Sequence, residues 1–398
     1  MSLASPTMYW MGLFTRRSPP TVSRRRRFQA PGSVIACSPL ARLALRCQPA
    51  STPPRWRQKD CNSMANHDPA QAAFDRHLPA TLPPVQAAEA YAPSNIALSK
   101  YWGKRDLPLN LPLNSSLSIS LREWGSTTRI KPSEDGTDRI WLNGEALAAE
   151  AGVASKVFRF IDRIRRGADQ PLWVETENTI PTAAGLASSA SGFAALTAAV
   201  DQAFQLNLPK PTLSMMARMG SGSASRSLWH GFVRWNRGEA ADGSDSVAHC
   251  LDVHWPAFRI AIIPVDTGPK SQSSRDGMNH TVATSPLFAQ WPDTAEADCA
   301  TIERAVRDQD FTTLGQTAEA NALAMHATMM AARPSLSYLK PESWAVLETL
   351  WAARADGLEA YATMDAGANV KLIFLEDAQG DVSSLFPQAQ LIDPFKPF

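Results

Sequence analysis

One run of small residues constrains this chain more than any other feature. In "NTIPTAAGLASSASGFAALTAAV" (178–200), every position from 182 to 195 except Leu186 and Phe193 is Ala, Gly, Ser or Thr. A strand ends at Ile180, a Pro-Thr turn follows, and a helix of small residues begins near Ser188. Gly185 and its alanine neighbours let the backbone approach a ligand closely. Ser188, Ser189 and Ser191 fall at the helix start, where free N–H groups and the helix dipole favour an anion. A plain Ser-capped helix shares part of this pattern, but such a helix has no need of so many small residues. The Gly-Lys-Ser/Thr ending of a Walker A loop is absent.

Around this run the chain alternates between strand and helix periodicities from about residue 85. "SSLSISL" (115–121) and "TTRIKPS" (127–133) read as paired strands. "DRIWLNGEAL" reads as a strand entering an Asn-Gly turn at 143–144. "GVASKVFRFIDRIRRG" (152–167) has helical spacing, and "PLWVETENTI" (171–180) is strand-like. Later come a strand at 258–265, helices near 296–309, 313–331 and 343–356, and a hairpin over 359–376. Strands and helices without strict βαβ alternation predict an α+β fold in two lobes.

The charge distribution is uneven. The chain has 39 basic and 38 acidic residues, of which 11 basic and one acidic lie in residues 1–60, so the remainder is acidic by nine. A general nucleic-acid surface is therefore not indicated outside the start of the chain. That start, rich in Arg, Pro and Ser, fits a transit peptide, a basic arm using "RRRR" (24–27), or a stretch upstream of a true start at Met64. The abrupt change of composition favours the last. The five cysteines, at 37, 47, 61, 250 and 299, show no metal-ligand spacing. They suggest a reducing compartment without a disulfide framework.

With these stretches in view, "PTAAGLASSAS" resembles the phosphate loop of the GHMP kinase superfamily. "APSNIALSKYWGKRD" (92–106) resembles one branch of it, the diphosphomevalonate decarboxylases. The likeness continues in order through "ARMGSGSASRSLWHGFVRW" (217–235), "TSPLFAQW" (284–291), "ANALAMHATMMAARP" (320–334) and "YATMDAGANVKLI" (361–373). It implies a two-lobed GHMP kinase fold. The N-terminal lobe, 81–258, would carry ATP on a left-handed βαβ-type phosphate loop, and the C-terminal lobe, 259–398, would be ferredoxin-like. Residues 1–80 would form an extension. It also implies a cytoplasmic homodimer that decarboxylates mevalonate 5-diphosphate with ATP and magnesium, acting on no nucleic acid or membrane.

The same resemblance distributes roles. Asp365 matches a catalytic aspartate that orients the 3-hydroxyl and accepts its proton, although an Asp before Ala-Gly is commonly a turn cap. Arg226 offers a planar fork for the substrate carboxylate. Ser221 and Ser223 are expected beside it in the catalytic set, hydrogen-bonding substrate, with Gly222 also on substrate. Asn95, Lys100, Tyr101, Trp102 and Lys104 are expected on substrate, with Lys100, Tyr101 and Lys104 on the diphosphate tail. Pro181, Gly185, Ala187, Ser188, Ser189 and Ser191 are expected on the nucleotide. Lys270, Ser273 and Ser274, in a loop (268–288) that reads as a lid, complete that set. His326 reads as a packed core histidine. Rivals on the same fold are a mevalonate 5-phosphate decarboxylase and a mevalonate 3-kinase; a rival of another class is a binding protein using the basic arm.

Overall fold

The structure is a computed structural model, and it describes residues 68–150, 152–180, 188–266, 268 and 272–396. The first lobe opens with α1 (Pro69–Asp75), β1 (Ala88–Ser99), β2 (Lys104–Asp106), β3 (Leu111–Pro112) and β4 (Ser116–Pro132). Next come β5 (Arg139–Leu142), β6 (Glu145–Ala146), α2 (Gly152–Arg165), β7 (Leu172–Asn178) and α3 (Ser189–Ala203). It closes with α4 (Lys210–Gly220), a 3-10 turn (Gly222–Arg226), β8 (Phe232–Trp235) and β9 (Ala248–Cys250). The second lobe begins with β10 (Phe258–Ile263), α5 (Ser274–Thr284), α6 (Trp291–Asp308) and α7 (Phe311–Met330). It ends with α8 (Pro341–Ala355), β11 (Ala360–Thr363), β12 (Val370–Leu375), α9 (Gln379–Leu385) and β13 (Gln390–Ile392).

The fold is mixed α+β, as expected. Strand β4 organises the first sheet. One edge pairs with β1, while the other pairs with β8 over its first residues and with β7 over its last. This corrects the expected pair of strands at 115–121 and 127–133, which are two halves of one strand. No turn intervenes because "REWGS" stays extended. Gly125 admits the close approach of β1 there: a Cβ would lie 2.2 Å from the Ala92 carbonyl oxygen. The Asn143-Gly144 turn forms as expected, both residues at positive φ, between β5 and β6.

The second sheet runs β11-β12-β10-β13, all antiparallel. Strand β10, "FRIAII", is buried at every position, which explains why all its residues but Arg259 are apolar; Arg259 pairs with Glu376 at 2.9 Å. One apolar core joins the sheets: Ile96 and Leu98 of β1 and Ile119 of β4 pack in a cluster with Ile260, Ile262, Val306 and Leu372. A second cluster holds α3 against α2 through Leu196, Val200 and Ile161. Helix α1, which an extension through residue 80 would leave out, buries Ala70, Ala73 and Phe74 in that cluster.

Candidate active site

A cleft of about 670 Å³ is lined by the end of β1, the start of α3, the 3-10 turn, the start of α5 and the β11–β12 turn. The β11–β12 turn is tight, with the N–H of Gly367 donating to the Asp365 carbonyl at 2.7 Å. Asn369 pins it by accepting from the N–H groups of Val265 and Asp266, both at 2.8 Å. The Asp365 carboxylate does not cap this turn. Lys100 Nζ lies 2.9 Å from Oδ1 and Lys371 Nζ lies 3.2 Å from Oδ2. Both lysines are buried, whereas the aspartate side chain is 36% exposed to the cleft.

These charges set the protonation states. Burial pushes the Asp365 carboxyl up, but Lys100 and Lys371 together more than offset it and hold it well below the ordinary carboxylate range. Burial brings Lys100 down to about 8, with Asp365 opposing and Lys371 and Arg226 adding to the fall. His326 is packed, as expected. Burial and then Lys100 bring it down to about 4, so it is neutral, and its Nε2–H donates to the Asp365 carbonyl at 3.2 Å.

Arg226 lines the same cleft. It is buried and held by neutral acceptors: Nε donates to Ser118 Oγ at 3.0 Å, one terminal nitrogen to Ser116 Oγ at 2.6 Å, and the other to Asn95 Oδ1 at 3.3 Å. Asn95 is itself fixed by donating to Ser227 Oγ at 2.7 Å. Burial lowers Arg226 to about 10, with Asp365 the leading opposing influence. Ser221, Gly222 and Ser223 form the adjoining wall.

The expected substrate residues divide into two groups. Tyr101 and Lys104 line the cleft with Arg275, at the first turn of α5. Among the described residues the Tyr101 hydroxyl is buried without a hydrogen-bond partner, and its ring packs edge-on against Trp235 with centroids 4.8 Å apart. Burial and then Arg275 bring Lys104 down to about 8. Lys100 is committed to Asp365, which corrects the expectation that it shares the tail with Lys104. The chain between them is neither helix nor strand, and Gly103, at φ +114, redirects it. Trp102 also lines the cleft but is packed with Met278, Phe288 and Trp291.

At the other end, Ser188 caps α3 without spending its side chain on a cap bond, and Ser189 Oγ lies 3.4 Å from Ser221 Oγ. Ser191 departs from expectation. It is buried, bonded to Ser126 Oγ at 2.8 Å, and faces the sheet because it lies on the inner side of α3. Ser273 and Ser274 line the cleft, but much of the expected lid is helix α5. Its Gly277 lies so close to Tyr338 that a Cβ would meet the hydroxyl at 2.3 Å, and Met278 is buried. Trp141, Val157, Phe193 and Leu196 give this end an apolar wall. Pro181, Gly185, Ala187 and Lys270 lie outside the described residues.

Sequence reasoning missed Lys371, Arg275 and the serines that hold Arg226. The available signal for Lys371 was a lone lysine inside the stretch "NVKLIF"; for Arg275 it was an arginine directly after the two lid serines in "SSRDGM".

Two family models cover most of the chain: a diphosphomevalonate decarboxylase-like N-terminal domain over residues 92–248 and a mevalonate 5-diphosphate decarboxylase C-terminal domain over 260–393. The chain belongs to the diphosphomevalonate decarboxylase family. It is similar to the diphosphomevalonate decarboxylase of Gibberella zeae, with 37% identity over 333 residues, 78% of this chain and 87% of that protein. Among family members of known structure, mevalonate diphosphate decarboxylase from Staphylococcus aureus superposes with a TM-score of 0.73 at 35% identity. That match covers 78% of this chain and 96% of the other. A structure of MDDEF in complex with MVAPP, AMPPCP and magnesium gives a TM-score of 0.70 at 37% identity, covering 77% and 96%.

Proposed function

We propose that this chain decarboxylates mevalonate 5-diphosphate with ATP, giving isopentenyl diphosphate, carbon dioxide, ADP and phosphate. One observation carries the reading. A buried guanidinium with no carboxylate partner among the described residues shares a cleft with an aspartate clamped between two lysines. The substrate carboxylate supplies the anion that Arg226 lacks, and the 3-hydroxyl faces Asp365. As the hydroxyl oxygen takes the phosphoryl group from ATP, Asp365 accepts its proton. The 3-phosphate then leaves with its bonding pair, the C–C bond to the carboxylate supplies the new double bond, and carbon dioxide departs. Arg226 holds that carboxylate in place.

Tyr101, Lys104 and Arg275 hold the diphosphate tail, while the apolar wall takes the nucleotide base and Ser188 and Ser189 face its phosphates. No cluster of three or more acidic, His or Cys side chains able to hold a metal exists among the described residues. This thin donor set suits magnesium, which binds through nucleotide phosphates, water and few protein ligands. Ser188 and Ser189 are the residues that would hold it; when bound it neutralises phosphate charge. We assign residues 81–258 to the ATP-binding lobe, with α1 packed on it, and 259–398 to the second. Family likeness supports a cytoplasmic homodimer, and among the described residues no helix is long and apolar enough to cross a membrane.

The test is carbon dioxide release with ATP and magnesium, comparing mevalonate, its 5-phosphate and its 5-diphosphate. Strong preference for the diphosphate is expected, and preference for the monophosphate rejects the assignment. Deleting residues 1–63 should leave this activity unchanged, whereas a binder that relied on the basic arm would lose its function.

The tail subsite makes a separate prediction. A Cβ on Gly222 would lie 2.7 Å from Tyr101 Cε1 and 2.9 Å from its hydroxyl oxygen. The adjoining turn has no room to retreat, since Ala224, Ser225 and Arg226 are buried. Gly222→Ala therefore displaces Tyr101, raising the KM for the diphosphate substrate roughly tenfold and destabilising the fold by about 1–3 kcal/mol. Steady-state kinetics and thermal melts check both; an unchanged KM removes Tyr101 from the tail.

A further inference from the structure

Asp365 is gripped at three points: Lys100 on Oδ1, Lys371 on Oδ2 and His326 on the main-chain carbonyl. Lys371 is the unexpected member. It sits in β12 among Val370, Leu372, Ile373 and Phe374, all buried, and is itself 2% exposed. Besides Asp365, its Nζ reaches only the Asn369 carbonyl, at 3.4 Å, in the described contacts. Burying an ammonium in such a strand costs several kcal/mol, which a purely structural position would avoid with an apolar residue. Lys100 alone offers an ion pair. A second lysine on the opposite oxygen adds two things that Lys100 cannot supply alone: a fixed carboxylate plane and one more positive charge.

We propose that Lys371 is a positioning residue for the reaction, holding the second oxygen of Asp365 so that the carboxylate presents a fixed, ionised acceptor to the substrate hydroxyl. The proposal rests on the decarboxylase reading above and extends it. The groups facing Asp365 are Lys100 from the segment after β1, Lys371 from β12, neutral His326 from α7 and, through space, Arg226 from the 3-10 turn. Lys371 favours ionised Asp365 and disfavours protonated Lys100. Removing its charge therefore moves both groups to higher pKa. Asp365 stays ionised across the working range, paired with Lys100, so it is the alkaline limb of the kcat–pH profile, set by Lys100, that moves up. A role in packing alone does not move it.

The experiment compares full-length wild type with Lys371→Met, of matching length without charge, and Lys371→Arg, which keeps the charge. It follows carbon dioxide release from mevalonate 5-diphosphate with ATP and magnesium across pH, with thermal melts alongside. Lys371→Met is expected to lose roughly tenfold in kcat, with the KM for ATP within about twofold and the alkaline limb raised by about one pH unit. Lys371→Arg should leave that limb within about half a unit of wild type. An unmoved alkaline limb in Lys371→Met overturns the proposal, whether or not kcat or the melting temperature falls. Should Lys371→Met not fold, Lys371→Arg decides, and an alkaline limb displaced despite the retained charge counts against it. Wild type without this activity would remove the decarboxylase reading itself, and the Lys371 proposal with it.

Discussion

Asp365→Asn is expected to lower carbon dioxide release on the order of 10³-fold while ATP affinity stays close to wild type. The amide keeps the shape of the carboxylate but can neither accept the hydroxyl proton nor attract the two ammoniums beside it. Its cost to stability depends on pH. Without the anion, Lys100 and Lys371 face each other in a buried place. Breaking a fully buried pair costs about 3–5 kcal/mol. Since the aspartate is 36% exposed to the cleft, screening brings the expected loss nearer to about 2 kcal/mol. Lys100 already stands at about 8 in the wild-type protein, and losing Asp365 lowers it further. The folded variant then binds fewer protons than the unfolded chain, whose lysines titrate near about 10.4, so stability rises with pH across that window. Thermal melts between about pH 6 and about pH 9 should show a deficit that shrinks as pH rises. Wild-type-like turnover would remove Asp365 from its role, and a deficit that grows with pH would contradict the charge arrangement.

The legible parts of the site were those whose chemistry and local backbone coincide. Asp365 and Arg226 sit in turns rich in small residues, and Gly222 has a local reason to be glycine, so the motif order brought them to one cleft. Lys100 was misplaced because nearness in sequence to Lys104 was taken for nearness in space; the bend at Gly103 is a φ value that composition does not reveal. Lys371 was overlooked for the opposite reason. Strand periodicity explains its neighbours, and a single charge among them reads as noise until the partner, six residues earlier across a turn, is known. The continuity of β4 escaped because its two halves carry separate alternating patterns, and the Gly125 between them suits a turn as well as a close approach. Ser191 shows the limit of a helix-start pattern: three serines share a composition, but α3 turns one of them toward Ser126. The fold class survived these misreadings because it rests on the strands "FRIAII" and "VKLIF", apolar apart from one paired cation in each, and on the helix faces packed over them.

Arg226→Met is expected to abolish decarboxylation without weakening the fold. In the described contacts the guanidinium is offered two hydroxyls and an amide oxygen. Neutral acceptors offset only part of the desolvation of a buried cation, and among the described residues no carboxylate completes the balance. Methionine fills similar space without that cost, Ser116 and Ser118 can turn their hydroxyls, and Asn95 keeps Ser227. The melting temperature should therefore hold or rise, while carbon dioxide release falls on the order of 10³-fold. Arg226→Lys should not rescue it and should remain about 10²-fold below wild type, since one ammonium cannot serve three fixed acceptors and a carboxylate together. The assay that separates the roles measures ADP beside carbon dioxide. If Arg226 grips the group that departs, phosphorylation persists in part and the ratio of carbon dioxide to ADP falls below one. A variant that loses both products equally and melts several degrees lower would make Arg226 a prop for the 3-10 turn. The carboxylate would then need another holder, and among the described residues of this cleft the cations left are Lys100 and Lys371, bound to Asp365, and Lys104, Lys156 and Arg275. On the proposed reading, the fixed fork of Arg226 makes the cleft specific for an acid that also carries an alcohol.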